Sequence, residues 1–373
     1  MKITSVYIHI PFCLRKCNYC DFVSVPIEEH RAERDAYAAL LLKELALFEG
    51  EADFSQVQTV YFGGGTPSLM EAQEIGEILS RFSSATETTL EANPETLDPG
   101  RLADFRRVGI NRMSLGVQSF NPLFLREMGR GHSPEQAVAM VKAAKKEGFD
   151  NIGIDLIYGP PGQSLTDWQD DVQKALDLDI RHISLYGLTI EEDTPWGCLV
   201  KAGKLTPADD DLGAEMLELA ITALECAGFR HYEISNFAKP GFESRHNLAY
   251  WRRENYLGLG VAAASCFLNR RMYNQTGLEK YQKMLEEGKR PLMDEESLGI
   301  DQVISEAIFL GLRLTAGIDF SAFAAQYGVD PRKRYKKEIA KMTEAGLLVL
   351  DAQGMRLTHR GLLLGNEVFR TFI

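Results

Sequence analysis

Apolar positions along the chain follow two alternating rhythms. Short β-branched or aromatic runs read as strands: "VYIHI" before Pro11, "TVYFGGG" from Thr59, "TLEANP" from Thr89, "RMSLGVQ" from Arg112, "NIGIDLIYG" from Asn151 and "HISLYGL" from His182. Between them lie amphipathic segments, Arg34 to Phe48, Met70 to Phe82, Pro99 to Val108, Pro134 to Glu147 and Leu165 to Leu178, each long enough for a crossover helix. Strands joined in this way form a parallel sheet, and six such units make most of a barrel. The expected fold is therefore α/β, a partial (β/α)6 barrel over residues 1–232. Its ligands should gather at the C-terminal ends of the strands.

The rhythm breaks after Tyr232. "FAKPGFESRHNLAYWRRENYLGLG" is rich in aromatics, basic residues and glycine, with no clear period. Residues 233–297 are read as an extension packed on the barrel mouth. From Leu298 the pattern turns helical, and "KEIAKMTEAGLLVLDAQGMRLTHRG" then gives helix, strand, a tight turn at Asp351 to Gly354, and strand. Residues 298–373 thus predict a small winged-helix-like α+β domain.

Composition narrows the function. With 373 residues, 45% hydrophobic and 25% charged, the chain is that of an ordinary globular protein. It holds no apolar run of membrane-spanning length and no secretory leader pattern, so a cytoplasmic protein with reduced thiols is expected. A net charge of -12 disfavours a general affinity for nucleic acid. The basic run "RKRYKK" (Arg332 to Lys337) is read as a solvated helix face, and the wing as a packing module.

The six cysteines change the picture further. Cys13, Cys17 and Cys20 stand in "CLRKCNYC", with three residues and then two between them, and no fourth cysteine lies near. Cys198, Cys226 and Cys266 are scattered singly in apolar surroundings that suggest buried helix positions. Three thiolates fall short of the four ligands of a structural zinc site, which His9 could complete. An iron–sulfur cluster held by the same three would keep one iron open for chemistry.

At this point the residues resemble a known family. "CLRKCNYC" is similar to the cluster motif of the radical S-adenosylmethionine enzymes. "YFGGGTPS" resembles their glycine motif, where missing side chains at Gly63, Gly64 and Gly65 admit the cofactor. With "YIHIPFC", "LEANPE", "SLGVQSF", "MGRGH" and "GIDLIYGPPGQ" in order, the whole chain resembles the branch of the oxygen-independent coproporphyrinogen III dehydrogenases. The resemblance implies a 4Fe-4S cluster on Cys13, Cys17 and Cys20, the open iron being chelated by S-adenosylmethionine. It also implies that Tyr7 packs near that cofactor, and that Gly64, Gly65 and Thr66 line its pocket with Glu91, Gln118, Arg130 and Asp155.

The dehydrogenases carry a further cysteine two places after the third ligand and a longer segment before the motif. Here Phe22 takes that place and six residues precede Tyr7. Both departures point to the sister group, the HemW-type haem chaperones, whose His-Asn-x-x-Tyr-Trp motif stands intact as "HNLAYW", His246 to Trp251. The expectation is a haem chaperone serving acceptor haemoproteins, such as those of the respiratory chain. His246 is the candidate axial ligand, with Tyr250 and Trp251 as apolar surface and His132, His231 and His359 as alternative ligands. The alternative readings are a coproporphyrinogen III dehydrogenase and a zinc-stabilised binding module.

Overall fold

A computed structural model describes residues 2–373. Six parallel strands, β1 (Ser5–Ile10), β2 (Thr59–Gly64), β3 (Glu87–Ala92), β4 (Arg112–Gln118), β5 (Asn151–Tyr158) and β6 (His182–Gly187), lie side by side in chain order. Each is followed by a crossover helix: α1 (Arg31–Ala46), α2 (Ala72–Leu79), α3 (Pro99–Arg107), α4 (Pro134–Lys146), α5 (Leu165–Asp177) and α6 (Asp210–Cys226). The apolar faces of these helices, such as Leu40, Leu41 and Leu45 of α1, share one core with the outward residues of the sheet. Serine caps fix two of the starts: Ser133 accepts from the Gln136 N–H and Ser164 from the Asp167 N–H, each in a capping box.

The inner side of the barrel carries polar groups where most such barrels carry Val, Ile or Leu. Tyr7, Tyr61, Glu91, Arg112, Ser114 and Asp155 face one another there. Tyr7 stacks on Tyr61 at 6.2 Å, the Tyr61 hydroxyl donates to Glu91 at 2.6 Å, and Ser114 Oγ donates to Asp155 at 3.3 Å. Burying so much polarity is costly unless it is paired or serves a ligand.

The extension corrects an expectation. Residues 233–297 do not sit on the barrel mouth; they prolong the sheet. Strand Tyr256–Leu259 pairs parallel with β1, and strands 264–267, 270–274 and 292–297 continue antiparallel beyond it. Leu257, Leu259, Phe267 and Tyr281 join the barrel core. The period was hidden because these strands are short and separated by tight turns. On the other edge, strand Asn236–Ala238 pairs antiparallel with β6. A second core, with Ile308, Phe320, Ile339, Leu348 and Phe369, builds the C-terminal module. Its strands Leu348–Leu350 and Gly354–Leu357 pair antiparallel across the expected turn, where Asp351 accepts from the Gly354 N–H at 2.8 Å. Among the described residues no helix is long and apolar enough to cross a membrane.

The lone cysteines bring a second correction. Cys198 and Cys226 lie on helices but are exposed, and Cys266 is buried but lies on a strand. Helix α6 turns Met216, Ala220, Ile221 and Leu224 inward, which leaves its last residue, Cys226, off the apolar stripe.

Candidate functional site

Strand β1 ends at Ile10, and the following loop carries Cys13, Cys17 and Cys20 over the C-terminal ends of the strands. There the three cysteines share a cavity of about 340 Å³ with Gly64 and Gly65 of the β2 end, Glu91, Gln118, Arg130 and Asp155. This size suits a small-molecule cofactor. Among the described residues no group of three His, Cys, Asp or Glu side chains gathers as a single metal ion requires. His9 does not complete a zinc site: its Nε2 bonds the Val23 carbonyl at 2.8 Å and its Nδ1 the Tyr7 hydroxyl at 3.1 Å.

The glycines explain how the loop closes down. A Cβ on Gly65 would lie 2.7 Å from the Phe12 carbonyl oxygen and 3.1 Å from Cys13 Sγ, so only glycine lets the cysteine loop rest on β2. Thr66 stands behind the cavity wall. Its hydroxyl donates to Cys13 Sγ at 3.5 Å and accepts from Asn93 Nδ2 at 3.1 Å, so it holds a cysteine and does not line the pocket. Tyr7 likewise lies one layer below, its ring under Gly63.

Arg130 is aimed by its neighbours. Nη2 donates to the Gly116 carbonyl at 2.8 Å and to Asn93, which turns Nη1 to 3.6 Å from Cys17 Sγ. Burial pushes the Cys13 thiol up, and Thr66, Ser24 and Arg130 work against that push. Glu91 is raised to about 7, chiefly by burial and further by the charge of Asp155, while the Tyr61 hydroxyl works the other way. Asp155 is raised too, again mainly by burial. The buried Arg112 guanidinium draws both acids down, and burial outweighs it.

Gln118 ends β4 with φ 68, a left-handed conformation rare outside glycine, beside a register shift in the ladder to β5. Its Oε1 is buried with no hydrogen-bond partner. A strained residue with an unpaired buried acceptor beside a cavity is the kind of exception that a ligand donor would explain. The residues therefore fit the cluster and cofactor that the motifs imply: three thiols with a guanidinium, two acids for an ammonium, and a free amide oxygen.

Two buried struts hold this turn: Asp171, which the sequence did not single out, and His132, which it offered as an alternative haem ligand. Asp171 of α5 accepts from Ser119 Oγ at 2.6 Å and from the Phe120 N–H at 2.7 Å. On the other flank His132 bonds the Val117 carbonyl at 3.1 Å and Glu95 at 3.0 Å. Burial alone would raise Glu95, but the His132 hydrogen bond and the Arg130 charge hold it down to about 2. The available signal for Asp171 was an acid on the inner stripe of an amphipathic helix. Replacing Asp171 with alanine strands the two donors, and a loss of about 2–4 kcal/mol in chemical denaturation is expected. S-adenosylmethionine affinity should fall with it, and Asp171→Asn should restore part of both.

"HNLAYW" lies elsewhere. Helix α7 (Arg245–Trp251) sits against the N-terminal ends of β2 and β3, the far end of the barrel from the cysteines. Glu87, the first residue of β3, accepts from the backbone N–H groups of Arg245 and His246. His246 is 1% exposed, its Nδ1 bonds Thr59 Oγ1 at 2.8 Å and its Nε2 bonds the Tyr250 hydroxyl at 3.0 Å. Tyr61 stacks on the imidazole at 4.9 Å, and the Trp251 ring lies 4.4 Å beneath Arg313. Thr59 and Tyr250 orient the ring. In this arrangement both nitrogens are committed, so the imidazole takes an iron only after α7 shifts. Of the other histidines, His132 and His231 are tied to backbone carbonyls and His359 is exposed.

Residues 7–175 match the Radical SAM superfamily, and residues 301–364 match the HemN C-terminal domain. Heme chaperone HemW of Lactococcus lactis subsp. lactis is 37% identical over 100% of this chain and 98% of its own length. Heme chaperone HemW of Bacillus subtilis is 35% identical over 99% of each. The mitochondrial radical S-adenosyl methionine domain-containing protein 1 of Danio rerio is 33% identical over 99% of this chain and 86% of its own. Among solved structures, coproporphyrinogen III oxidase (HemN) from Escherichia coli, a radical SAM enzyme, superposes with a TM-score of 0.83. It covers 99% of this chain and 90% of that one at 22% identity, a likeness of fold alone.

Proposed function

The chain belongs to the HemW family, in the HemN-like branch of the radical SAM superfamily, and from that premise we propose that it is a haem chaperone whose cofactor and haem sites lie at opposite ends of one barrel. It binds a 4Fe-4S cluster through Cys13, Cys17 and Cys20. S-adenosylmethionine lies across Glu91, Gln118, Arg130 and Asp155. Bound together, cluster and cofactor supply one-electron chemistry at the sulfonium. The chain's own groups hold the site ready: Glu91 and Asp155 for the ammonium, Gln118 for a donor, Arg130 for a thiolate. Haem is taken by the α7 end through His246, Tyr250 and Trp251, and is passed to acceptor haemoproteins.

The observation that carries this reading is the separation of the two sites. The intact motif closes the barrel floor on the far side of Tyr61, whose ring stacks on His246 and whose hydroxyl donates to Glu91 of the cofactor cavity, so haem need not compete for the space where a dehydrogenase substrate would lie. Phe22 also stands 64% exposed at that cavity, in the place of the dehydrogenases' added cysteine.

The test is haem titration of the reconstituted protein, followed by the Soret band, beside His246→Ala. Loss or marked weakening of the band in the variant, with iron content kept, supports the assignment. Unchanged affinity moves haem elsewhere. Steady turnover of coproporphyrinogen III by the parent would instead establish the dehydrogenase.

A pH dependence follows from Glu91. Its pKa of about 7 means that the carboxylate is largely ionised above that pH and protonated below it. Only the ionised form attracts an ammonium, so S-adenosylmethionine affinity should fall by up to about tenfold per unit as pH drops below 7. Equilibrium dialysis between pH 5.5 and 8 checks this, and Glu91→Gln should flatten the profile at the weak end.

A further inference from the structure

One stripe of α7 has no role in the motif. Arg245, Leu248, Ala249 and Arg252 recur at the spacing of a single helical face. With Thr4, Ser5, Gln58 and Thr59 at the strand entries, they line a cleft of about 360 Å³ on the barrel floor. Two turns of helix rise roughly 10 Å. The stripe is therefore apolar in its middle and carries a guanidinium at each end.

Both arginines are exposed, and among the described residues neither forms an ion pair. Arg245 gives Nη1 only to Thr86 Oγ1, at 3.1 Å. Two acids, Glu243 and Glu254, also border the cleft, and Glu243 is occupied by the Gly241 N–H at 3.0 Å. The floor supplies an independent pointer to a ligand. Ser5 is 1% exposed, lines the cleft, and its buried Oγ has no hydrogen-bond partner. A buried hydroxyl with nothing to bond is uncommon and marks a place for an acceptor. Thr59, on the same wall, bonds His246 from its hydroxyl, so the cleft lies one side chain from the imidazole.

We propose that this cleft is the carboxylate-reading half of the haem site. Arg245 and Arg252 clamp the two propionates, and Leu248 and Ala249 pack against the macrocycle edge. The proposal rests on the haem reading above. The cleft is too small to enclose a whole porphyrin, so one edge is seated and the remainder stays outside. A carrier needs that exposure, because an acceptor must be able to take hold of the free edge. Guanidinium–carboxylate pairs supply orientation as well as attraction.

The experiment compares haem with haem dimethyl ester, which keeps the ring and iron but lacks the charges. Both are titrated into the parent, the double variant Arg245→Gln/Arg252→Gln, and the control double variant Arg15→Gln/Lys16→Gln at the cofactor cavity. Two partly exposed pairs should give the parent a preference for haem on the order of tenfold. That preference should vanish in the α7 variant and persist in the control. The cluster absorbance and circular dichroism of the α7 variant should not change. If the α7 pair disturbs folding, Leu248→Glu gives the same reading by placing a like charge in the cleft, weakening haem far more than the ester. A preference that survives at α7, or disappears only in the cavity control, overturns the proposal. Absence of any haem binding by the parent defeats the haem reading itself.

Discussion

Replacing Cys13, Cys17 or Cys20 singly with alanine is expected to remove the iron–sulfur cluster outright, with iron, acid-labile sulfide and visible absorbance all falling to background. Three thiolates are the most that leave an iron open on a four-iron cluster, and a cube held by two has lost a third of its protein ligands. No substitute stands by. His9 is locked between Val23 and Tyr7, Cys226 is exposed on α6, and Cys198 is exposed on helix Pro195–Lys201 and does not line the cavity. The same measurements on Cys198→Ala, Cys226→Ala and Cys266→Ala should match the parent. Iron retained after loss of any member of the triad, or lost with any of the other three, breaks the three-ligand assignment.

Alanine at Gly64 should be nearly as damaging, by another route. The residue has φ 112, where a side chain is strained whatever the space. A Cβ there would also lie 2.6 Å from His9 Cε1 and 2.7 Å from its Nδ1. That ring cannot swing aside without breaking its bonds to Val23 and Tyr7. Strain and overpacking each cost roughly 1–3 kcal/mol, so about 3 kcal/mol or more should be lost in denaturant unfolding. The Gly64 N–H also donates to Glu91 at 3.2 Å, so displacing the backbone disturbs an acid of the cofactor cavity. Reconstitution should yield protein with little cluster and no measurable S-adenosylmethionine binding. Normal stability and full cofactor loading would mean that the loop tolerates a side chain there.

Much of this arrangement was legible in the chain because its signals are local. Strand β4 runs from Arg112 to Gln118 as its apolar pattern indicated, since a fully buried parallel strand reads as one continuous run. Gln118, Glu91 and Asp155 could be placed at the cavity because the end of a barrel strand is a position that sequence can mark. What escaped was three-dimensional. Nothing local tells whether an aromatic, basic segment caps a barrel or prolongs its sheet, because that depends on the partner of Tyr256–Leu259, far away in sequence. Thr66, read as lining the cofactor pocket, stands one layer behind the cavity, since a residue's depth behind a loop is set by packing. His246 shows the limit most plainly. A motif identifies the residue, and only the fold reveals that Thr59 and Tyr250 already occupy its two nitrogens.

The central position of β1 has a consequence for how the molecule is made. One neighbour, β2, follows within the next 60 residues of synthesis, but the other is strand Tyr256–Leu259, and Thr4 meets Asn255 across 251 residues of chain. At ~5–20 residues per second, a ribosome takes roughly 10 to 50 seconds to supply that partner. For all that time the strand leading into Cys13 presents an open hydrogen-bonding edge, the kind that recruits other chains. The strand that leads into the cysteine loop is therefore held on both sides only after Leu259 has been made, long after its first neighbour β2.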